Sequence, residues 1–210
     1  MANAHERIWI GCDHGGFELK QQVLRFLEGR PLGCHDVGCH STEIVRYPYF
    51  AAQVAEAVVR GEAQRGILIC STGIGMSIIA NRYRGVRASL CTSTYMGKMT
   101  RAHNDSNVLC LGGKITGPFE ALDILEAWLV TPYEGGRHDI SLGLIRDAEA
   151  ALSTCGVGSR QTRWFLDRER TFRLENCIHV GGVLCRSEVS GPRCWHCVSR
   201  FMPAPSSTAA

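Results

Sequence analysis

Between residues 7 and 153 the chain alternates short, uniformly apolar runs with longer stretches whose apolar residues recur every three or four positions. The run "RIWIGCD" predicts a buried strand, and the segment after it sets Leu19, Val23, Phe26 and Leu27 at helical spacing, with Gly29 placed to end that helix. "CHDVG" predicts a weaker second strand. Pro48 marks a helix start, after which Phe50, Val54 and Val58 recur four apart. "GILIC" predicts the third strand, followed by a glycine-containing loop and a short helix over Met76–Asn81. "VRASLCT", helical "YMGKMTRAH" and the strand "NVLCLGG" come next. A helix from Pro118 sets Leu122, Leu125 and Leu129 on one side, and a last helix covers "ISLGLIRDAEAAL".

Uniformly apolar strands separated by amphipathic helices imply a parallel sheet buried on both faces. The expected architecture is therefore α/β: a Rossmann-like, doubly wound, three-layer α/β/α domain with a five-stranded parallel sheet, spanning residues 1–153. From residue 154 this rhythm is lost. "RTFRLENCIHVGGVLCR" could pair as a hairpin and "MPAPSSTAA" has the composition of disorder, so residues 154–210 read as an irregular, cysteine-containing C-terminal extension.

Charge and composition narrow the partners. The net charge of +3 is too small to argue for nucleic acid, and it is unevenly placed. Residues 154–210 hold eight Arg against four acidic residues, leaving residues 1–153 with 15 basic and 16 acidic side chains. No apolar run is long enough for a signal peptide or a membrane span, so a cytoplasmic protein with no membrane partner is expected. In that setting the eleven cysteines are expected to stay reduced. In the extension, Cys177, Cys185, Cys194, Cys197, His179 and His196 could suggest zinc, but only Cys194 and Cys197 have close C-x-x-C spacing. No metal and no cofactor are expected.

In a doubly wound sheet the ligand site lies at the carboxyl ends of the strands, and polar residues cluster there: Asp13 and His14 after the first, Cys70 to Gly75 after the third, Lys114 after the fifth. His103 and Asn104 are read as lying between the fourth helix and the fifth strand and as joining the same edge. The loop "CSTGIG" lacks a third glycine for dinucleotide binding and has no Lys-Ser/Thr pair for a nucleoside triphosphate. A cysteine phosphatase would need an arginine where Met76 stands. There remains a strand-end thiol, Cys70, before unpaired amides that can stabilise negative charge, with Thr72 adding a hydroxyl. Taken alone, the loop also suits a buried cysteine beside a tight turn. The neighbouring Asp13, His14, Arg101, His103, Asn104 and Asp105 favour a working site, because such polar groups cost stability unless used.

Read together, "GCDHGGFELK", "YPYFA", "GILICSTGIGMSI", "RAHNDSNVLCLGG" and "YEGGRH" resemble the signatures of the type B ribose-5-phosphate isomerases, a family that includes allose- and galactose-6-phosphate isomerases. The resemblance runs in order through residues 7–150. It implies a metal-free aldose–ketose isomerase that interconverts ribose 5-phosphate and ribulose 5-phosphate through an enediolate. Cys70 would then move the proton between C2 and C1, and His103 would open the sugar ring. Asp13, His14, Asn104 and Tyr47 would contact the sugar. The amides of Ser71, Thr72, Gly73, Ile74 and Gly75 would hold the enediolate oxygen, and Arg137, His138 and Lys114 the phosphate. A homodimer or tetramer with shared active sites is also implied.

Three positions depart from the family pattern. Arg46 stands where an acidic residue is usual, Lys114 where arginine is common, and Ser141 where a second phosphate-binding arginine is expected. These leave open another sugar phosphate, allose 6-phosphate or galactose 6-phosphate, and a non-catalytic sugar-phosphate-binding subunit.

Overall fold

A computed structural model describes residues 7–154, and the calls on the C-terminal extension lie outside the described residues. Five strands form one parallel sheet: β1 (Arg7–Cys12), β2 (Gly33–Asp36), β3 (Arg65–Cys70), β4 (Ala88–Leu90) and β5 (Val108–Gly112), in the order β2-β1-β3-β5-β4. Six helices accompany them: α1 (Phe17–Leu27), α2 (Tyr47–Val59), α3 (Ile74–Ala80), α4 (Thr94–Asn104), α5 (Pro118–Val130) and α6 (Arg137–Thr154).

Strand side chains alternate between two cores, as the pleat requires. Ile8, Ile10, Cys12, Ile67, Ile69, Leu109 and Leu111 face the side covered by α1 and α5. Leu68, Cys70, Val108 and Cys110 face the side covered by α2 and α3. Both faces are buried, which is why these strands read as continuous apolar runs. The expected three-layer fold is the observed one.

Three local differences follow from packing. The inner face of α5 is Ala121, Ile124, Leu125 and Trp128; Leu122 and Leu129 flank it, half-buried. The fully buried Trp128 donates its indole N–H to Ser106 Oγ at 2.7 Å, which satisfies its only polar atom. Helix α6 starts at Arg137, earlier than the apolar spacing suggested, after glycines at φ 65° and 61° turn the chain into it. On α1, Lys20 sits on the buried face beside Leu19 and Val23 with no exposed surface. Its ammonium reaches both Asp36 carboxylate oxygens and the Cys39 carbonyl, each at 2.7 Å, so the charge is paired and hydrogen-bonded.

The chain passes from β1 outward to β2 and then returns to β3 on the other side of β1. The carboxyl ends of β1 and β3 are therefore the topological switch point, where sheets of this kind leave a crevice. No helix among the described residues is long and apolar enough to cross a membrane.

Candidate active site

Three loops meet at the carboxyl edge. After β1, Asp13 turns the chain: its Oδ1 accepts the Gly15 and Gly16 N–H groups at 2.9 and 3.2 Å. This Asx turn gives the buried Asp13 a structural role alongside any contact with a sugar hydroxyl. The Val45 N–H donates to His14 Nδ1 at 3.4 Å, which ties the ring to the segment leading into α2. After β5, the Gly113 and Lys114 N–H groups donate to the Cys70 and Ser71 carbonyls at 2.8 and 3.0 Å, which ties this loop to the one after β3.

Cys70 ends β3 almost fully buried, and its Sγ accepts the Gly73 N–H at 3.1 Å. Gly73 can aim its amide this way because it is left-handed, at φ 76°. A Cβ there would lie 2.5 Å from Leu90 Cδ1 and 3.0 Å from the Leu111 carbonyl. The Ile74 N–H donates to Thr72 Oγ1 at 3.4 Å. Of the amides expected to hold an oxyanion, Gly73 thus serves the sulfur and Ile74 the Thr72 hydroxyl. The Tyr47 ring, at the start of α2, lies against Gly75, where a Cβ would come within 2.7 Å of it.

Three other cysteines are buried in the core. Burial pushes the Cys91 thiol up to about 12 and the Cys110 thiol well above its ordinary value. Burial also raises Cys12, against the opposing pull of the Lys20 ammonium. These three are core residues held protonated.

His103, Asn104, Arg137 and His138 form a second group. His103 and Asn104 do not follow the fourth helix; they are its last residues. Asp105, at φ 45°, ends the helix and its carboxylate takes Arg101 Nη1 at 2.8 Å and Arg87 Nη2 at 2.7 Å. Arg101 and Asp105, read from sequence as part of the working constellation, instead pin the end of α4 and so fix His103. The His103 and His138 rings stack at 4.2 Å between centroids and 13° between planes. Glu134, which the motif reading passed over, lies between them: its Oε2 is 3.8 Å from His103 Nε2 and 3.7 Å from His138 Nε2. Its N–H donates to the Ala102 carbonyl at 3.0 Å. The signal was present in "YEGGRH", where Glu134 and His138 stand four apart.

The expectation of a single edge is corrected here. A helix that follows a parallel strand runs back, so the C-terminus of α4 and the start of α6 belong to the amino edge of the sheet. Val108, just after this cluster, pairs with Gly66, whereas Gly112 pairs with Cys70. At about 3.3 Å per residue the two edges are about 13 Å apart along β3. Asp13, His14, Tyr47, Cys70 to Gly75 and Lys114 lie at one edge; His103, Asn104, Arg137 and His138 lie at the other. Lys114 consequently does not share an edge with Arg137 and His138.

Comparison with known proteins places this sheet and its strand-end thiol in a family. The Ribose/Galactose Isomerase family profile matches residues 8–145. The chain belongs to this family and is an isomerase. It is 47% identical over 133 residues to ribose-5-phosphate isomerase B of Escherichia coli, covering 63% of this chain and 89% of that protein. The solved structure of ribose-5-phosphate isomerase B from Clostridium thermocellum is 48% identical, with a TM-score of 0.68, covering 69% of this chain and 98% of that one. D-erythrulose-4-phosphate isomerase of Pectobacterium atrosepticum is 40% identical over 130 residues, covering 61% of this chain and 86% of that protein.

Proposed function

We propose that the chain interconverts ribose 5-phosphate and ribulose 5-phosphate as a homodimer, or a tetramer built from such dimers, in which each active site joins the carboxyl edge of one copy to the amino edge of another. The observation that carries this reading is the Gly73 N–H on Cys70 Sγ at the switch point. The amide points its positive end at the sulfur that this reading makes the base, and proton abstraction beside a carbonyl needs such a base held in place.

In this scheme His103 of the second copy protonates the ring oxygen and takes the proton of the anomeric hydroxyl, giving the open-chain aldehyde. Cys70 removes the proton on C2, and the C2–H electron pair becomes the C1–C2 double bond of a cis-enediolate. The remaining loop amides and Thr72 stabilise the charge on O1. Cys70 returns the proton to C1, the O2 proton is lost to O1, and the ketose results. No net redox change occurs. Asp13, His14 and Tyr47 of the first copy and Asn104 of the second hold sugar hydroxyls. Arg137 and His138 of the second copy, with Lys114 of the first, hold the phosphate.

The separation of the two edges supports the shared site. Proton transfer needs heavy atoms within about 3 Å. One chain, with its groups on opposite edges, does not supply that contact. Exposed apolar side chains also surround the carboxyl edge: Ile74, Ile78, Tyr95, Ile115 and Phe119 are each at least half exposed, a surface suited to burial against another copy.

A second reading changes only the substrate. Ser141 removes one arginine from the phosphate cluster and Lys114 replaces a planar fork by a point charge. Both changes would suit a sugar phosphate of different length, such as allose 6-phosphate or galactose 6-phosphate. Turnover of ribose 5-phosphate, allose 6-phosphate and galactose 6-phosphate by wild type and Cys70→Ala tests both readings. The expected result is highest kcat/KM on ribose 5-phosphate, with loss of turnover but retained binding in Cys70→Ala. Undiminished turnover in that variant refutes the mechanism, and a higher kcat/KM on a hexose phosphate refutes the substrate.

A further inference from the structure

We propose that Cys12 and Cys39 form a reversible modification site, a thiol pair that a peroxide converts to an intramolecular disulfide. Cys12 closes β1 and Cys39 lies three residues past β2, and both side chains lie in the core on the α1 side of the sheet. Their Sγ atoms are 3.6 Å apart. Neither thiol has a part in the isomerisation proposed above, in which Cys70 is the base.

The backbones beside the two sulfurs are already tied together. The Cys12 N–H donates to the Gly38 carbonyl at 2.7 Å, and the Cys39 N–H donates to the Cys12 carbonyl at 2.9 Å. Chain segments bonded in this way stand about 4.8 Å apart. That lies inside the Cα separation of about 4.4–6.8 Å that a disulfide spans. Side-chain rotation can therefore bring the sulfurs from contact to a bond of about 2.05 Å with little change in the backbone.

Cys39 is the thiol that a small oxidant meets first, because the chain runs on from it through the exposed residues His40 to Ile44, whereas Cys12 has no exposed surface. Burial holds the Cys12 thiol above its ordinary value, and the Lys20 ammonium, 2.7 Å from the Cys39 carbonyl, pulls it the other way. A cation beside the pair favours thiolate character during the reaction. The Cys39 sulfur attacks one oxygen of hydrogen peroxide, the O–O bond breaks, and the departing hydroxide takes the Cys39 proton as water. The Cys12 sulfur then attacks the sulfenic sulfur; the S–S bond forms, the S–O bond breaks, and hydroxide leaves with the Cys12 proton. The two thiols lose two electrons and the peroxide gains them.

The bond would form beside groups assigned above to the sugar. Asp13 follows Cys12 directly, and Val45, in the loop after Cys39, donates to His14 Nδ1 at 3.4 Å. Drawing Cys39 toward Cys12 takes its Sγ off the Ser41 carbonyl, 3.3 Å away in the reduced pair, and moves this loop against His14. Oxidation should lower kcat/KM for ribose 5-phosphate at least about tenfold, since misplacing a binding group by about 1 Å costs up to about 100-fold. That effect rests on the sugar contacts proposed for Asp13 and His14; the disulfide does not.

The test uses the full chain, reduced with dithiothreitol, freed of it and treated with hydrogen peroxide. Remaining thiols are capped with N-ethylmaleimide, and the chain is digested with trypsin without reduction. Mass spectrometry should find peptide 8–20 joined to peptide 26–46, two hydrogens lighter than their sum. Fragment ions should place the link at Cys39 and not at Cys34, and dithiothreitol should remove it. Absence of this link, or a link from Cys12 or Cys39 to any other cysteine in its place, overturns the proposal. In the activity arm, the fall in kcat/KM should return with dithiothreitol and should be missing in Cys39→Ser, or in Cys39→Ala if the serine variant folds poorly. Loss that persists in those variants belongs to oxidation of Cys70. A mapped disulfide with unchanged turnover would keep the modification site and refute the sugar contacts at Asp13 and His14.

Discussion

The two-edge arrangement makes a quantitative prediction about mixed oligomers. Cys70→Ala removes the thiol from the carboxyl edge, and His103→Ala removes the imidazole from the amino edge. Each homogeneous variant should lose turnover by at least about 100-fold, the usual worth of a positioned acid or base. Cys70 stands opposite Gly112 at one end of β5, and the His103 cluster precedes Val108 at the other. Those ends are about 13 Å apart, far beyond proton-transfer reach. If each site takes Cys70 from one copy and His103 from another, a mixed dimer holds one doubly damaged site and one intact site. Random mixing of equal amounts makes half the dimers mixed, so activity should recover to about one quarter of wild type in a symmetric dimer. The assay is ribulose 5-phosphate formation after the two variants, carrying different tags, are unfolded and refolded together. Native mass spectrometry counts the mixed species. Mixed dimers that form in the expected proportion yet show only parental activity would refute the shared site. Full activity of His103→Ala alone would remove that residue from the mechanism.

Other consequences are more local. Gly73→Ala should cost at least about 1–2 kcal/mol from the left-handed backbone alone, and should lower kcat by moving the amide off Cys70 Sγ; urea unfolding and turnover measure the two, and unchanged values of both would show that this geometry is unimportant. Lys20→Ala should destabilise the fold by about 3–5 kcal/mol, because it strands Asp36 and the Cys39 carbonyl without their buried partner; chemical denaturation reads this directly. Burial lifts Cys91 to about 12, so the folded state holds its proton more tightly than the unfolded chain does. Its contribution is whole below pH 9 and is lost as pH rises through about 12. Stability in that window should fall by up to about 1.4 kcal/mol per pH unit from this group, and Cys91→Ala should show a shallower slope in thermal unfolding.

Secondary structure was legible in the chain because it follows from local periodicity. Doubly buried strands must be apolar at every position, and helices that cover them must repeat every three to four residues. The Cys70 loop was legible for the same reason, since a strand end, a turn and a helix start are consecutive. Its left-handed Gly73 needs a residue without a Cβ, and the sequence supplies one.

Which edge each polar residue occupies was decided by tertiary structure. His103 is close in sequence to the start of β5, but the return direction of α4 carries it to the amino edge, away from Cys70. Arg101 and Asp105 look like chemistry in the string "RAHNDSN", yet their charges are used to anchor the helix end. Lys20 reads as a surface lysine until Asp36 and Cys39 close over it. Glu134 gains its place between two imidazoles only because the segment entering α6 docks on Ala102. The sequence by itself determined the layers, the sheet and the thiol-bearing loop, whose causes are contacts between near neighbours in the chain. The partition of the site into two edges was decided only in three dimensions, because it depends on the direction in which each element crosses the sheet.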